Sequence, residues 1–290
     1  MIIDAHAHIS ETTYGNVELY RAQLQESGIE RGVVVPGGML DVRKMTDYVI
    51  GRAKPDSLVP NNTYVKRCCR KFSSQLQGLV CLNPHDATAP AQLETAFKQG
   101  FRGLKLSPMT HEFSFGSKVI ADLADCCAQY DYPFYTHVVY SPGASTARLV
   151  TLAKQFPKTW FIMGHMGFGP ADCEGVAAAA TLDNFFLETS TCNFLHLQAA
   201  LPQVGSTKLI FGSEFPLSHP AVELHKVLLL KITDQEQDNI LGENIRALLR
   251  FATRGEKRNG SKKQLAKSQS LAAALSKCTL LPGTPAPTPT

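Results

Sequence analysis

The feature that most constrains this chain is an alternation of short β-branched or aromatic runs with helical patterns, repeated at fairly even intervals. Runs ending in Gly, Pro, Asp or Asn signals occur at Ile2–Ile9, Arg31–Val35, Gln77–Asn83, Phe101–Ser107, Pro133–Val139, Thr159–His165, Asn184–Thr189 and Lys208–Glu214. Between the first two, Asn16–Ser27 places Val17, Tyr20 and Leu24 on one helical face before Gly28. Thr88–Gln99, closed by Gly100, and Lys118–Tyr130 behave alike. Strand–helix alternation implies a parallel sheet. Eight units in about 250 residues favour closure into a (β/α)8 TIM barrel over an open doubly wound sheet. No Gly-rich phosphate fingerprint follows the first strand, which also argues against a dinucleotide fold. Ala221–Lys231 and Asp234–Ala252 read as amphipathic helices completing the wall, so the barrel is expected to span residues 1–253.

Composition changes after that point. Residues 254–290 are rich in Lys, Ser, Ala, Pro and Thr and are expected to form a disordered tail. The formal charge of +4 belongs to this tail, which carries seven Lys or Arg against one Glu and leaves the preceding residues at −2. The barrel itself thus offers no argument for nucleic-acid binding. The 44% hydrophobic content suits one large core. Eight cysteines lack any C-x-x-C pair or zinc-knuckle spacing and read as free thiols of a reducing compartment. With no basic leader and no membrane-length apolar run, the expected location is the cytoplasm, away from any membrane. The expected partner is a small-molecule substrate, and a homo-oligomer is compatible with the sequence.

The strongest chemical signal is Asp4-Ala5-His6-Ala7-His8. Residues two apart on a strand point the same way, so His6 and His8 enter the lumen together as candidate ligands of zinc or a similar divalent ion. His137 ends the fifth run, His165 the sixth and Glu214 the eighth. All strand C-termini of a barrel meet at one face, so these five side chains are expected to share a pocket. Rim histidines merely hydrogen-bonded in place would give the same letters one at a time, but not as a set at strand ends.

With these residues in view, the chain resembles the metal-dependent amidohydrolase superfamily. Within it, the similarity is to the amidohydrolase-related (amidohydrolase 2) branch that includes aminocarboxymuconate semialdehyde decarboxylase. The resemblance covers Met1 to about Ala252. It rests on the opening Ile-Ile-Asp-Ala-His-Ala-His, Gly103-Leu104-Lys105-Leu106-Ser107-Pro108, Thr136-His137, Gly164-His165-Met166-Gly167, Phe211-Gly212-Ser213-Glu214-Phe215-Pro216 and Ile240-Leu241-Gly242-Glu243-Asn244. It implies a divalent metal, zinc first and manganese second, on His6, His8, His137 and Glu214, with His165 and Glu214 exchanging protons. The family normally has Asp where this chain has Glu214. The added methylene moves the carboxylate on the order of 1.5 Å, comparable with metal–ligand bonds of about 2 Å.

Three activities fit. A metal-activated water would hydrolyse an amide, lactone or cyclic ester, with His165 and Glu214 handling the protons. Alternatively, the same ligands would support non-oxidative decarboxylation of a small unsaturated or aromatic acid. A barrel without catalysis, used for binding, is the third reading. Lys105 at the fourth strand end is expected to orient an acidic substrate; in binuclear superfamily members a carbamylated lysine there bridges two metals. His85 is a substrate-pocket candidate, as are His111, His196 and His219, although loop or capping roles are the commoner fate of such residues. Cys81 reads as a small core residue.

Overall fold

A computed structural model of the chain describes residues 1–250; the expected tail lies outside the described residues. The parallel strands are β1 (Ile3–Ile9), β2 (Arg31–Pro36), β3 in two pieces (Leu76–Gly78 and Val80–Cys81), β4 (Leu104–Leu106), β5 (Phe134–Thr136), β6 (Phe161–Met163), β7 (Phe185–Glu188) and β8 (Leu209–Ile210). The break in β3 is at Leu79, whose N–H still donates to the Val34 carbonyl at 3.0 Å while Val80 N–H turns to the Gly103 carbonyl at 3.0 Å. The ring closes between β8 and β1. Ala5 N–H donates to the Phe211 carbonyl at 3.0 Å, Glu214 N–H to that of His6 at 2.7 Å, and His8 N–H to that of Phe215 at 2.6 Å. Sequence pattern and structure therefore agree on a (β/α)8 barrel.

Helices α1 (Val17–Glu26), α2 (Asn62–Lys71), α3 (Ala89–Lys98), α4 (Lys118–Tyr130), α5 (Thr146–Gln155), α6 (Cys173–Thr181), α7 (Phe194–Val204) and α8 (Pro220–Leu228) form the wall. Asn16 starts α1 by accepting from Leu19 N–H, as expected for a residue of its type at that place. Residues alternate across each strand. Phe134, Phe161 and Phe185 point outward into the layer shared with Leu93, Leu123, Leu149 and Leu197, whereas Ile3, Val33, Tyr135, Ile162 and Ile210 fill the lumen above Ile245 and Leu248. Each buried phenylalanine contributes roughly 1.5–3 kcal/mol through the area it removes from water.

Two expectations on element length need correction. The regular ladders are shorter than the apolar runs, because after Thr136, Met163 and Ile210 the backbone turns to aim His137, His165 and Glu214. His165 and Glu214 take left-handed φ values of 61° and 57°, which ends strand geometry there. The helix expected over 234–252 is interrupted. Asp234–Asp238 passes into a π-helical turn, Asn239–Glu243, before Asn244–Leu248. The Ile240 carbonyl in that turn accepts from Phe211 N–H at 2.9 Å, fastening the closing helices under β8.

A buried carboxylate locks the start of the barrel to its end. Asp4 accepts from Tyr20 Oη at 2.8 Å, Ser213 Oγ at 2.6 Å, Ser213 N–H at 2.8 Å and His6 N–H at 3.1 Å. Gly32 is required beside it, since a Cβ there would lie 2.3 Å from the Tyr20 hydroxyl. Burial pushes Asp4 up to about 6, against the four hydrogen bonds that favour its charge. Among the described residues, no helix is long and apolar enough to cross a membrane, and the cysteines are free thiols.

Candidate metal centre

The C-terminal mouth collects the side chains singled out from the strand ends. His6 and His8, pointing the same way from β1, bring their Nε2 atoms to 3.1 Å. Glu214 reaches them from beyond β8, with Oε2 2.7 Å from His6 Nε2 and Oε1 3.4 Å from His8 Nε2. Lys105 enters from β4 and donates to His6 Nε2 at 3.0 Å and His137 Nε2 at 2.7 Å. One donor atom from each of His6, His8, His137 and Glu214 falls within 4.8 Å of the others. His165 stands beside this group. Its ring stacks on His137 at 4.4 Å and 14°, and its Nε2 lies 3.8 Å from Glu214 Oε2.

Local backbone choices make the cluster possible. Gly164 lets His137 pack against the β6 end, where a Cβ would sit 2.6 Å from His137 Nδ1. His8 Nδ1 donates to the Pro36 carbonyl at 3.3 Å, which turns its Nε2 toward the cluster. His165 Nδ1 donates to the Ser190 carbonyl at 3.0 Å, so its Nε2 lone pair faces Glu214.

Burial and charge set the protonation states. Burial lowers His8 to about 3 and holds His137 well below its ordinary value; it lowers His165 as well, although Glu214 and Glu188 oppose it there. Burial also works against ionised Glu214, but the charges of His6, His8 and His165 outweigh it and keep the carboxyl well below its usual range. His6 goes the other way: burial disfavours its charge, and the neighbouring Glu214 and Glu188 raise it overall. Lys105 is brought down to about 8 by burial, against the pull of Glu214 and Glu188.

Neutral His8 and His137, an ionised Glu214 and His6, which would give up its extra proton on binding, form a donor set suited to a divalent cation such as zinc or manganese. Glu214 Oε2 is buried without an aligned hydrogen bond, despite the close approach of His6, and that leaves it available to a ligand. The residues fit a metal, which His6, His8, His137 and Glu214 would hold. Glu214 reaches the cluster even though it is one methylene longer than the Asp usual in the resembling family.

Other sequence candidates fall elsewhere. His85 is exposed, bonds through Nε2 to the His111 carbonyl at 2.6 Å, and does not line the cavity above the cluster. The loop after β3 turns it outward. His111 bonds to the Leu58 carbonyl, His196 accepts from Asp172 N–H, and His219 caps α8 by accepting from Ala221 N–H. Lys105, by contrast, lines the cavity, as does the buried Cys81, whose thiol is raised to about 12 by burial. Glu188 was not among the sequence candidates, yet it is fully buried behind His6. The strand-end rule applied to Leu187-Glu188-Thr189-Ser190 would have found it.

The cavity measures about 270 Å³. Its lining is mostly apolar, with Met39, Leu40, Met109, Val139, Phe168 and Leu217 among the residues, and His8, His137 and Glu214 of the donor cluster line it too. Lys105 is the one Lys or Arg side chain lining it among the described residues.

Comparison with known proteins places this geometry. Among curated protein sequences, none matches the chain. The chain is similar in fold to 2,6-dihydroxybenzoate decarboxylase from Rhizobium, at 15% identity and a TM-score of 0.66 over 86% of this chain and 98% of that one. It is similar to the 5-carboxyvanillate decarboxylase of Novosphingobium aromaticivorans, solved with bound manganese, at 11% identity and a TM-score of 0.65 over 87% and 97%. A probable 2-pyrone-4,6-dicarboxylic acid hydrolase from Acinetobacter baumannii matches at 16% identity and a TM-score of 0.63 over 86% and 99%. The sequence profile described as Amidohydrolase (Amidohydro_2) matches residues 3–251, nearly the whole described barrel, and the chain belongs to that family.

Proposed function

We propose that the chain is a metal-dependent enzyme that releases carbon dioxide, without oxidation, from a small unsaturated or aromatic acid. The observation that carries this reading is the polarity of the cavity. A mostly apolar lining suits a flat ring, while Lys105 and the metal-binding His8, His137 and Glu214 that share it would draw a carboxylate. The decarboxylases of similar fold support the same choice.

A divalent ion on His6, His8, His137 and Glu214 would supply positive charge to the carboxylate and a neighbouring substrate oxygen. Lys105, which lines the cavity, would add a second positive group and orient the acid. In the reaction the ring carbon–carboxylate bond breaks, carbon dioxide departs, and the electron pair stays on the ring carbon. That carbon must take one proton, drawn ultimately from solvent. His165 Nε2 and Glu214 Oε2, 3.8 Å apart, are the pair that would accept the solvent proton and deliver it.

Hydrolysis of a lactone, amide or cyclic ester is the second reading. It is favoured by the hydrolase of similar fold and by the same His165–Glu214 pair, which would serve equally as base toward a water. The deciding experiment supplies the protein with zinc or manganese and presents hydroxylated benzoates labelled in the carboxyl carbon alongside a panel of lactones and amides. Labelled carbon dioxide is the expected product; lactone or amide opening with no carbon dioxide from any acid would replace the first reading by the second.

A further inference from the structure

We infer that Glu188 is a positioning residue that fixes the His6 ring as a metal donor, and that Tyr135, Ser190 and Gly212 serve to hold this carboxylate in place. The inference rests on the metal-dependent reading above and extends it to a residue to which that reading gives no role.

Glu188 ends β7 inside the barrel and has no exposed surface. Its Oε2 accepts from His6 Nδ1 at 3.2 Å, Tyr135 Oη at 2.7 Å, Ser190 Oγ at 2.9 Å and His165 N–H at 3.3 Å. Oε1 accepts from Ser190 N–H at 2.6 Å. Space is reserved for that oxygen: a Cβ on Gly212 would come within 2.3 Å of it. The contacts draw on β1, β5, the turn after β6, β7 and the run beyond β8, so one carboxylate references His6 to most of the mouth.

The chemical consequence follows from what a carboxylate can do. It accepts hydrogen bonds and donates none, so the ring nitrogen facing it must carry the proton. His6 is thereby held with Nδ1–H toward Glu188 and the Nε2 lone pair toward His8, His137 and Glu214. An amide in the same place both donates and accepts, and would tolerate the opposite tautomer, in which Nε2 carries the proton and cannot bind a cation. Tyr135 Oη occupies a second site on the same oxygen and keeps the carboxylate from rotating away.

The test uses the full chain, stripped of metal and titrated with zinc against a chromophoric chelator. Glu188→Gln is expected to keep the parent far-UV spectrum and lose about 10- to 100-fold in zinc affinity. In ¹⁵N-histidine-labelled, zinc-loaded protein, the His6 Nδ1 proton should appear as a low-field, slowly exchanging signal that weakens or disappears in the variant. A folded Glu188→Gln protein with parent affinity and an unchanged signal overturns the assignment. Should that variant fail to fold, Tyr135→Phe decides: a several-fold loss of affinity supports the positioning role, and parent affinity rejects it. Neither readout needs turnover, so zinc binding without carbon dioxide release would fail the decarboxylase reading alone. A parent chain that binds no zinc or manganese would overturn both.

Discussion

The His137 and His165 rings stack face to face at 4.4 Å and 14°, yet only His137 directs a nitrogen into the four-residue donor set. His165 instead faces Glu214 from one side, its backbone in the left-handed region. Neighbouring histidines of similar burial are thus assigned different work by the turn each one sits on.

This division predicts different failures. His8→Ala and His137→Ala should each lower zinc or manganese affinity by about 10²-fold or more, because a three-ligand remnant binds less well. His165→Ala should change affinity only a few-fold while cutting turnover of an identified substrate by roughly 10²- to 10⁴-fold. Chelator competition together with steady-state rates checks the split, and metal loss in His165→Ala equal to that in His8→Ala would contradict it.

Glu214 is both a candidate ligand and a candidate proton carrier. Glu214→Gln leaves an amide oxygen at the fourth position, so it should lose less metal affinity than His8→Ala, yet lose roughly 10²-fold or more in turnover. Glu214→Asp withdraws the carboxylate from a cluster built around the longer acid, and a displacement of about 1 Å can cost about 10²-fold. If Asp instead raises activity or affinity, the site is not adapted to Glu.

Gly164 has a steric job. Gly164→Ala would set a methyl 2.6 Å from His137 Nδ1, so the ring must move. We expect a loss of about 1–3 kcal/mol in stability from this overpacking, read as a lower melting temperature, together with weakened metal binding. Unchanged melting and binding would show that the mouth can relax around the added carbon.

The thiols offer a pH test away from the donor set. Burial holds Cys81 and Cys192 near a pKa of about 12, so at pH 8 only roughly 10⁻⁴ of either is thiolate. Maleimide labelling of the native protein followed by peptide mapping should mark the exposed Cys173 and spare Cys81, even though Cys81 lines the cavity. The reactivity of Cys81 should rise as pH climbs toward 12, or at once on unfolding. Labelling of Cys81 at the rate of Cys173 in folded protein at pH 8 would show that its thiol is not held protonated.

How the sequence and the fold share the information is clearest at particular residues. The strand–helix alternation and the strand-end positions of His6, His8, His137, His165 and Glu214 were legible from periodicity, because a barrel brings every strand C-terminus to one face and local pattern suffices to mark those ends. That His6 and His8 point to the same side follows from a two-residue spacing on one strand. His85 stood in the sequence only as a loop candidate for the pocket, and its loop turns it outward to the His111 carbonyl. Glu188 looked like an ordinary strand residue, and its importance comes from Tyr135, Ser190 and Gly212, 53, 2 and 24 positions away. The sequence by itself determined that His6, His8, His137, His165 and Glu214 stand at the mouth; the tertiary structure alone decided which nitrogen or oxygen each one presents and brought Glu188 in behind them, because ring and carboxylate orientations depend on hydrogen bonds and contacts between strands far apart in the chain.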